Sequence, residues 1–134
     1  MTWLADVLCA GAAEGQALRL DAPISFWGGI CPQTSRIILP GHPQFGETLC
    51  DRMIVLPELI GSSSSSAVML ELIYRGKAPR ALILGQRDAI LPIGVVVARQ
   101  MGWPAPPVCV VDDPVFRTGE RLRLSRDGTV QRSD

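Results

Sequence analysis

Excess charge of either sign is absent from this chain: thirteen Lys and Arg stand against thirteen Asp and Glu in 134 residues. Nothing in that balance draws the molecule to nucleic acid or an anionic membrane, so any charge-driven site must be local. Long hydrophobic runs are absent too. None approaches the roughly 20 apolar residues of a membrane-spanning helix, and Met1–Gly11 lacks a basic segment leading into a long apolar core. The expectation is a soluble, cytoplasmic protein. The four cysteines, Cys9, Cys31, Cys50 and Cys109, are scattered without a CxxC pair, which argues against zinc or a redox dithiol and for free thiols. No metal site is expected in this chain.

The catalytic motifs that the chain resembles at first glance are each missing a part. Gly61-Ser62-Ser63-Ser64-Ser65-Ser66 is glycine followed by five serines, but a phosphate-binding P-loop needs a Lys and Ser/Thr after its second glycine. A hydrolase nucleophile elbow needs a second glycine where Ser65 stands. The only histidine, His42, is a candidate general base by its pKa range, yet it sits in the rigid loop Pro40-Gly41-His42-Pro43 with no carboxylate partner at a diagnostic spacing. The structural reading of His42 is therefore the stronger one.

Hydrophobic residues make up 47% of the chain and charged ones 19%, enough apolar content for one compact domain spanning residues 1–134. The run Met53-Ile54-Val55-Leu56, closed by Pro57, reads as a buried strand, and Val68, Met69, Leu72 and Ile73 recur at helical spacing before Gly76. The serines therefore occupy a strand-to-helix turn. Serine is a favoured N-cap, and the free N–H groups of a first helical turn attract anions. The plainer alternative is a capped helix after a flexible loop.

Around this unit, 17–20 and Arg36–Leu39 read as short strands, and Ala81–Leu84 and Val108–Val111 as buried ones. Ala89–Met101 reads as a helix capped by Asp88, and Arg121–Val130, turning at Asp127-Gly128, as an edge hairpin. Glu71 and Arg75 stand four apart and pair on a solvent face. Strands and helices alternating in this way imply an α/β fold. Ile24-Ser25-Phe26-Trp27-Gly28-Gly29 places two large aromatics before two glycines, where a packed surface turns into one that bends freely or meets another group closely. Cys31 follows directly.

Taken together, Ile24–Gly29 with Pro32, His42-Pro43 with Gly46, Pro57 through Ser64, Leu70–Ile73 with Gly76 and Ala78-Pro79, and Asp88–Leu91 with Gly94 resemble the swivelling domain, or small subunit, of the aconitase X enzymes. The resemblance runs in family order from Ile24 to Gly94. It implies a swivelling β/β/α domain of the aconitase superfamily that closes on a large subunit holding an iron–sulfur cluster, so that a hydro-lyase site forms between them. In the wider family a Gly-Ser-Ser turn supplies the serine that removes the substrate proton, which assigns the base to Ser62, and an arginine follows to bind carboxylate. Ser64 occupies that arginine position here. Ser63, Ser64 and the Gly61 backbone are left as the substrate-binding groups, with Phe26, Trp27, Gly28, Gly29 and His42 on the interface or active-site loops.

Family members commonly carry an acidic residue where Cys31 stands. The family implies two substrates, cis-3-hydroxy-L-proline in bacterial enzymes and phosphorylated mevalonate in archaeal ones, with the partner's metal centre assisting loss of the hydroxyl. An Ala- and Arg-rich chain with a single lysine favours the first, as do loops near the serines with no cations except Arg36 and Arg52. A different class of reading, a non-catalytic anion-binding module, predicts ligand binding by the chain alone. The enzyme reading predicts an exposed apolar face at Phe26 and Trp27 that needs a partner.

Overall fold

The structure, a computed structural model, describes residues 2–133. Its strands are β1 (Thr2–Leu4), β2 (Asp6–Cys9), β3 (Ala13–Arg19), β4 (Met53–Leu56), β5 (Ala81–Leu84), β6 (Val108–Val110), β7 (Arg121–Leu124) and β8 (Thr129–Arg132). The helices are the single turn α1 (Phe26–Gly29), α2 (Ser65–Tyr74) and α3 (Ile90–Gln100). The strands are ordered β1-β8-β7-β3-β4-β5-β6-β2, with β3 to β6 parallel and the other pairs antiparallel. β3 belongs to both halves: Ala13–Gln16 pair with β7, and Ala17–Arg19 pair with β4.

β4 and β5 are apolar at every position because both their faces are covered. Ile54, Leu56, Leu82 and Leu84 pack with Met69, Leu72, Leu91 and Val95 of the helices. Met53, Val55, Ala81 and Ile83 face the opposite way, against Phe116, Leu122, Leu124 and Val130 of the antiparallel strands and the segment leading to them. The result is a β/β/α sandwich. At about 1.5–3 kcal/mol for each large apolar side chain buried, these two clusters carry most of the favourable folding energy.

Several features depart from the sequence reading. β1 and β2 were not anticipated; they are short, and β1 is mostly exposed. Only Ala5 separates them, and its N–H donates to Gly128 O at 2.8 Å, so the chain passes from one end of the strand order to the other. That path corrects the edge assignment of the C-terminal hairpin: β7 pairs with β3 on one side, and β1 covers β8 on the other. Arg36–Leu39 is not a strand. It makes single antiparallel bridges, Ile37 to Ile30 and Arg36 to Thr48, inside a long excursion between β3 and β4, because its neighbours on either side, 29–31 and 46–48, stay alongside for only a residue or two. The same excursion buries Phe26, Ile30, Ile37 and Leu49 on the helical side.

Candidate functional site

The serine turn leaves the carboxyl end of β4 and opens α2, at the side of the parallel strands where chain direction reverses into a helix. Its internal bonding differs from the expected serine cap. Ser64, the residue before α2, is already helical (φ −84°, ψ −7°), and its hydroxyl caps nothing. Ser62 does the local work: its Oγ accepts the Ser64 N–H at 3.3 Å and its carbonyl accepts the Ser65 N–H at 3.1 Å, the two-residue loop that serine hydroxyls favour. The Ser66 hydroxyl donates to Ser63 O at 3.4 Å. Among the described residues, the backbone N–H groups of Ser63 and Ser66 have no acceptor, and neither do the hydroxyls of Ser63 and Ser64. Unpaired donors at the positive end of a ten-residue helix favour an anion there.

Ser65 is set apart from its neighbours. It is 2% exposed, and its Oγ lies 3.5 Å from Ser25 Oγ. That contact, the Ile24–Leu59 bridge and the Ile60 N–H to Ile24 O bond (3.0 Å) hold the 22–30 loop against the serine turn. No sequence signal separated Ser65 from the other four serines, and Ser25 was noticed only as part of the aromatic stretch. Gly94 closes the assembly from α3: a Cβ there would lie 2.6 Å from Ser66 O and 3.1 Å from Met69 Cβ.

The aromatic pair splits. Trp27 is 61% exposed, whereas Phe26 is fully buried in the helix-side core, so the exposed apolar face predicted for both exists only at Trp27. The reason is the backbone of this short turn, which is not helical at its centre: Trp27 is extended (φ −75°, ψ 118°) and Gly28 left-handed, so the two neighbouring side chains leave in different directions. Gly28 turns the chain at φ +85°, and Gly29 is packed so closely that a Cβ would lie 2.5 Å from Ile24 Cγ1. His42 is buried, with Nδ1 accepting the Gln44 N–H (3.0 Å) and Nε2 donating to Ala22 O (2.9 Å). Both ring nitrogens are used to tie its loop to the end of β3, which removes it as a general base.

Arg52 stands at the amino end of β4, opposite the serines, and pairs with Glu47 at 2.6 Å. Its placement near them in the sequence reading is thereby corrected; four strand residues separate the two ends. Cys31 makes no hydrogen bond to the turn. As a thiol it donates to Gln33 Oε1 at 3.3 Å; as a thiolate it accepts from the Thr34 hydroxyl and from the Gln33 and Thr34 backbone, which lowers its pKa. Burial raises the Cys9 pKa and pushes that of Cys109 up to about 12. All four cysteines are free.

Among the described residues no three His, Cys, Asp or Glu side chains gather as a metal site, so these residues offer no ready ligand set for an iron–sulfur cluster. A cavity of about 640 Å³ lies between Arg19, Asp21 and the segment Asp113–Thr118, and the turn is not part of its lining. A hydroxyl and free N–H groups are what the turn offers, and a second surface is needed to enclose a substrate over them.

Residues 2–132 match the aconitase X swivel domain. The chain belongs to that family. It is 45% identical over 101 residues to a cis-3-hydroxy-L-proline dehydratase of Hypocrea jecorina, and 39% identical over 129 residues to one of Pseudomonas aeruginosa. These alignments cover 75% and 90% of this chain but only 17% and 22% of those proteins, so the swivel domain spans about a fifth of their length. The small subunit of phosphomevalonate dehydratase from Pyrococcus abyssi is 34% identical over 119 residues, covering 88% of both chains. Among solved structures, Thermococcus kodakaraensis aconitase X in its holo-form superposes with a TM-score of 0.89 at 26% identity, covering 100% of this chain and 99% of that one. The swivelling β/β/α architecture implied by the sequence is therefore the fold of this chain.

Proposed function

We propose that this aconitase X swivel domain is one half of a hydro-lyase, completed by a large subunit, and that it supplies the base to a site formed between them. The observation that carries the reading is the serine turn, with Ser62 Oγ held by the Ser64 N–H at the start of α2. Serine is a weak base at its ordinary pKa and acts only as an alkoxide stabilised by donors. The Ser64 N–H and the positive end of α2 are such donors, already oriented before substrate arrives. Ser62 would take the proton from the carbon next to the substrate carboxylate, while the free Ser63 and Ser66 N–H groups and the Ser63 and Ser64 hydroxyls receive carboxylate oxygens, with the Gly61 backbone alongside. No arginine in the turn takes that role.

The iron–sulfur cluster belongs to the large subunit in this reading, because no ligand set gathers among the described residues of this chain. Trp27 and Gly28, exposed beside the turn, form part of the surface that meets it. The substrate is cis-3-hydroxy-L-proline and the product Δ1-pyrroline-2-carboxylate, a reading supported by the 45% and 39% identities to dehydratases so named. A specific observation supports a second substrate: the phosphomevalonate dehydratase small subunit matches end to end over 88% of its length.

The test is the reconstituted two-part enzyme with its cluster loaded, assayed on both substrates. Turnover of hydroxyproline alone supports the first assignment, and turnover of phosphomevalonate alone replaces it. In the active assembly, Ser62→Ala should lower kcat by at least about a thousandfold with the cluster spectrum unchanged, as expected for loss of a proton-transferring group. A near-normal rate removes Ser62 as the base. Binding of a small carboxylate by the isolated chain, with no activity in any assembly, would favour the anion-binding module instead.

A further inference from the structure

The end of the parallel strands away from the serine turn carries a second concentration of chemistry. There a cavity of about 320 Å³ is lined by Gly15, Gln16, Cys50, Asp51 and three arginines, Arg52, Arg80 and Arg121. Each arginine arrives from a different part of the chain: Arg52 just before β4, Arg80 just before β5, and Arg121 at the start of β7 where it pairs with Gln16. Their convergence is a product of the topology. We propose that this cavity binds a phosphate group, carried by a small phosphate ester.

The first argument is charge. Among the described residues, Arg52, Arg80, Arg121 and the adjoining Arg123 and Lys77 meet three carboxylates at this end, Glu14, Glu47 and Asp51. One carboxylate, Glu14, serves both Arg121 (3.2 Å) and Arg123 (3.0 Å). Arg80 has no carboxylate partner among the described residues; its Nε and Nη1 donate to the carbonyls of Asp51 (3.1 Å) and Glu14 (3.2 Å). A guanidinium fixed by two neutral carbonyls keeps its full charge and its remaining N–H donors in a set direction. That is the geometry in which arginine binds phosphate oxygens in pairs.

The second argument is the backbone. Gly15 lies inside β3, where glycine costs stability and commonly marks a close approach. A Cβ there would lie 3.1 Å from Arg80 Cδ, so the bare backbone is what lets Arg80 lie across the strand. Asp51, on the cavity wall, is held at φ +62°, a conformation that non-glycine residues adopt at a cost, and Arg80 bonds its carbonyl. A strained residue, a strand glycine and an arginine locked between them give the cavity a fixed floor. Its volume exceeds that of a bare phosphate ion, leaving room for an ester's organic part beside Gln16 and Cys50.

The experiment is thermal unfolding and calorimetric titration of the full chain with inorganic phosphate and with glycerol 1-phosphate, against sodium chloride at matched ionic strength. Saturable stabilisation is expected from both phosphates and not from chloride, with the ester binding more tightly. Arg80→Gln should weaken the ester at least tenfold. Because Arg80 also holds Asp51, Arg121→Gln serves as a second variant that loses only an exposed ion pair, and it should weaken the ester to a similar degree. Arg117→Gln, at the opposite end of the parallel strands, should bind as the unaltered chain does. Equal effects of chloride and phosphate, or undiminished ester binding in a folded Arg121→Gln protein, would overturn the assignment. Tighter binding of the free ion than of the ester would overturn the ester.

Discussion

Replacing Gly94 by alanine sets two well-defined effects against each other. Gly94 lies inside α3, where alanine is favoured over glycine by about 1 kcal/mol in an exposed helix. Here the position is buried against α2, and the added Cβ would lie 2.6 Å from Ser66 O, 3.1 Å from Met69 Cβ and 3.2 Å from Met69 Cγ. Met69 can shift its side chain, but Ser66 O is backbone in the first turn of α2 and yields only if the helix start moves. Overpacking of this kind costs about 1–3 kcal/mol. The net expectation is a loss of about 0–2 kcal/mol, or a fall in Tm of up to about 8 °C at this chain length.

The displaced turn is the one that carries Ser62, the proposed base, so on that proposal activity should suffer more than stability. A shift approaching an ångström at a reacting group can cost about a hundredfold in rate. In the reconstituted enzyme, kcat of Gly94→Ala should fall about 10–100-fold at a temperature where the variant remains folded. Adding Met69→Ala removes only the Cγ contact, since alanine keeps its Cβ, and should leave kcat low because Ser66 O is still struck. A Gly94→Ala protein that is more stable than the original and turns over normally would refute the claim that α3 positions the serine turn through this contact.

Phe26→Ala should cost about 3–5 kcal/mol, as for a fully buried aromatic, whereas Trp27→Ala should change stability by less than about 1 kcal/mol and, on the proposed reading, weaken assembly with the proposed large subunit; urea unfolding and sedimentation distinguish the two. His42→Ala leaves the Gln44 N–H and Ala22 O unpaired and should cost about 1–3 kcal/mol, with kcat in the folded enzyme close to normal, which activity and melting curves on one preparation check. Alkylation followed by mass spectrometry should modify Cys31 first. Its pKa is lowered, so its thiolate fraction and labelling rate at pH 7–8 exceed those of Cys50, whose pKa burial raises, while Cys109, near 12, stays unlabelled until the chain unfolds. Earlier labelling of Cys50 would contradict this order.

Much was legible in the residues alone because it depends on neighbours in sequence. β4, β5 and β6 stood out as apolar runs bounded by Pro or Gly and α2 as a 3.6-residue pattern ended by Gly76, while α3 was legible from its length against the competing β-branched run Val95–Val97 and Pro92. The Asp88 cap was also visible: its Oδ2 accepts the Leu91 N–H at 2.8 Å. The Glu71–Arg75 pair forms at 3.0 Å, since both partners lie one helical turn apart. The position of the serine turn, between a buried strand and a helix, followed from those same patterns.

What depended on distant parts of the chain could be decided only in three dimensions. Five serines are one residue type repeated, and their different fates come from Ser25, forty positions away, and from Gly94 in another helix. Phe26 and Trp27 are both large and apolar, yet the extended backbone at Trp27 and the left-handed one at Gly28 bury the first and expose the second. Arg36–Leu39 has strand composition but neighbours that bridge it at single residues only, and β1 and β2, too short to stand out, are held by partners about a hundred residues or more further on. The local pattern thus determined where the backbone would turn and offer hydroxyls. Burial, register and the meeting of Arg52, Arg80 and Arg121 required the chain to close on itself, because each is set by a surface that no single segment contains.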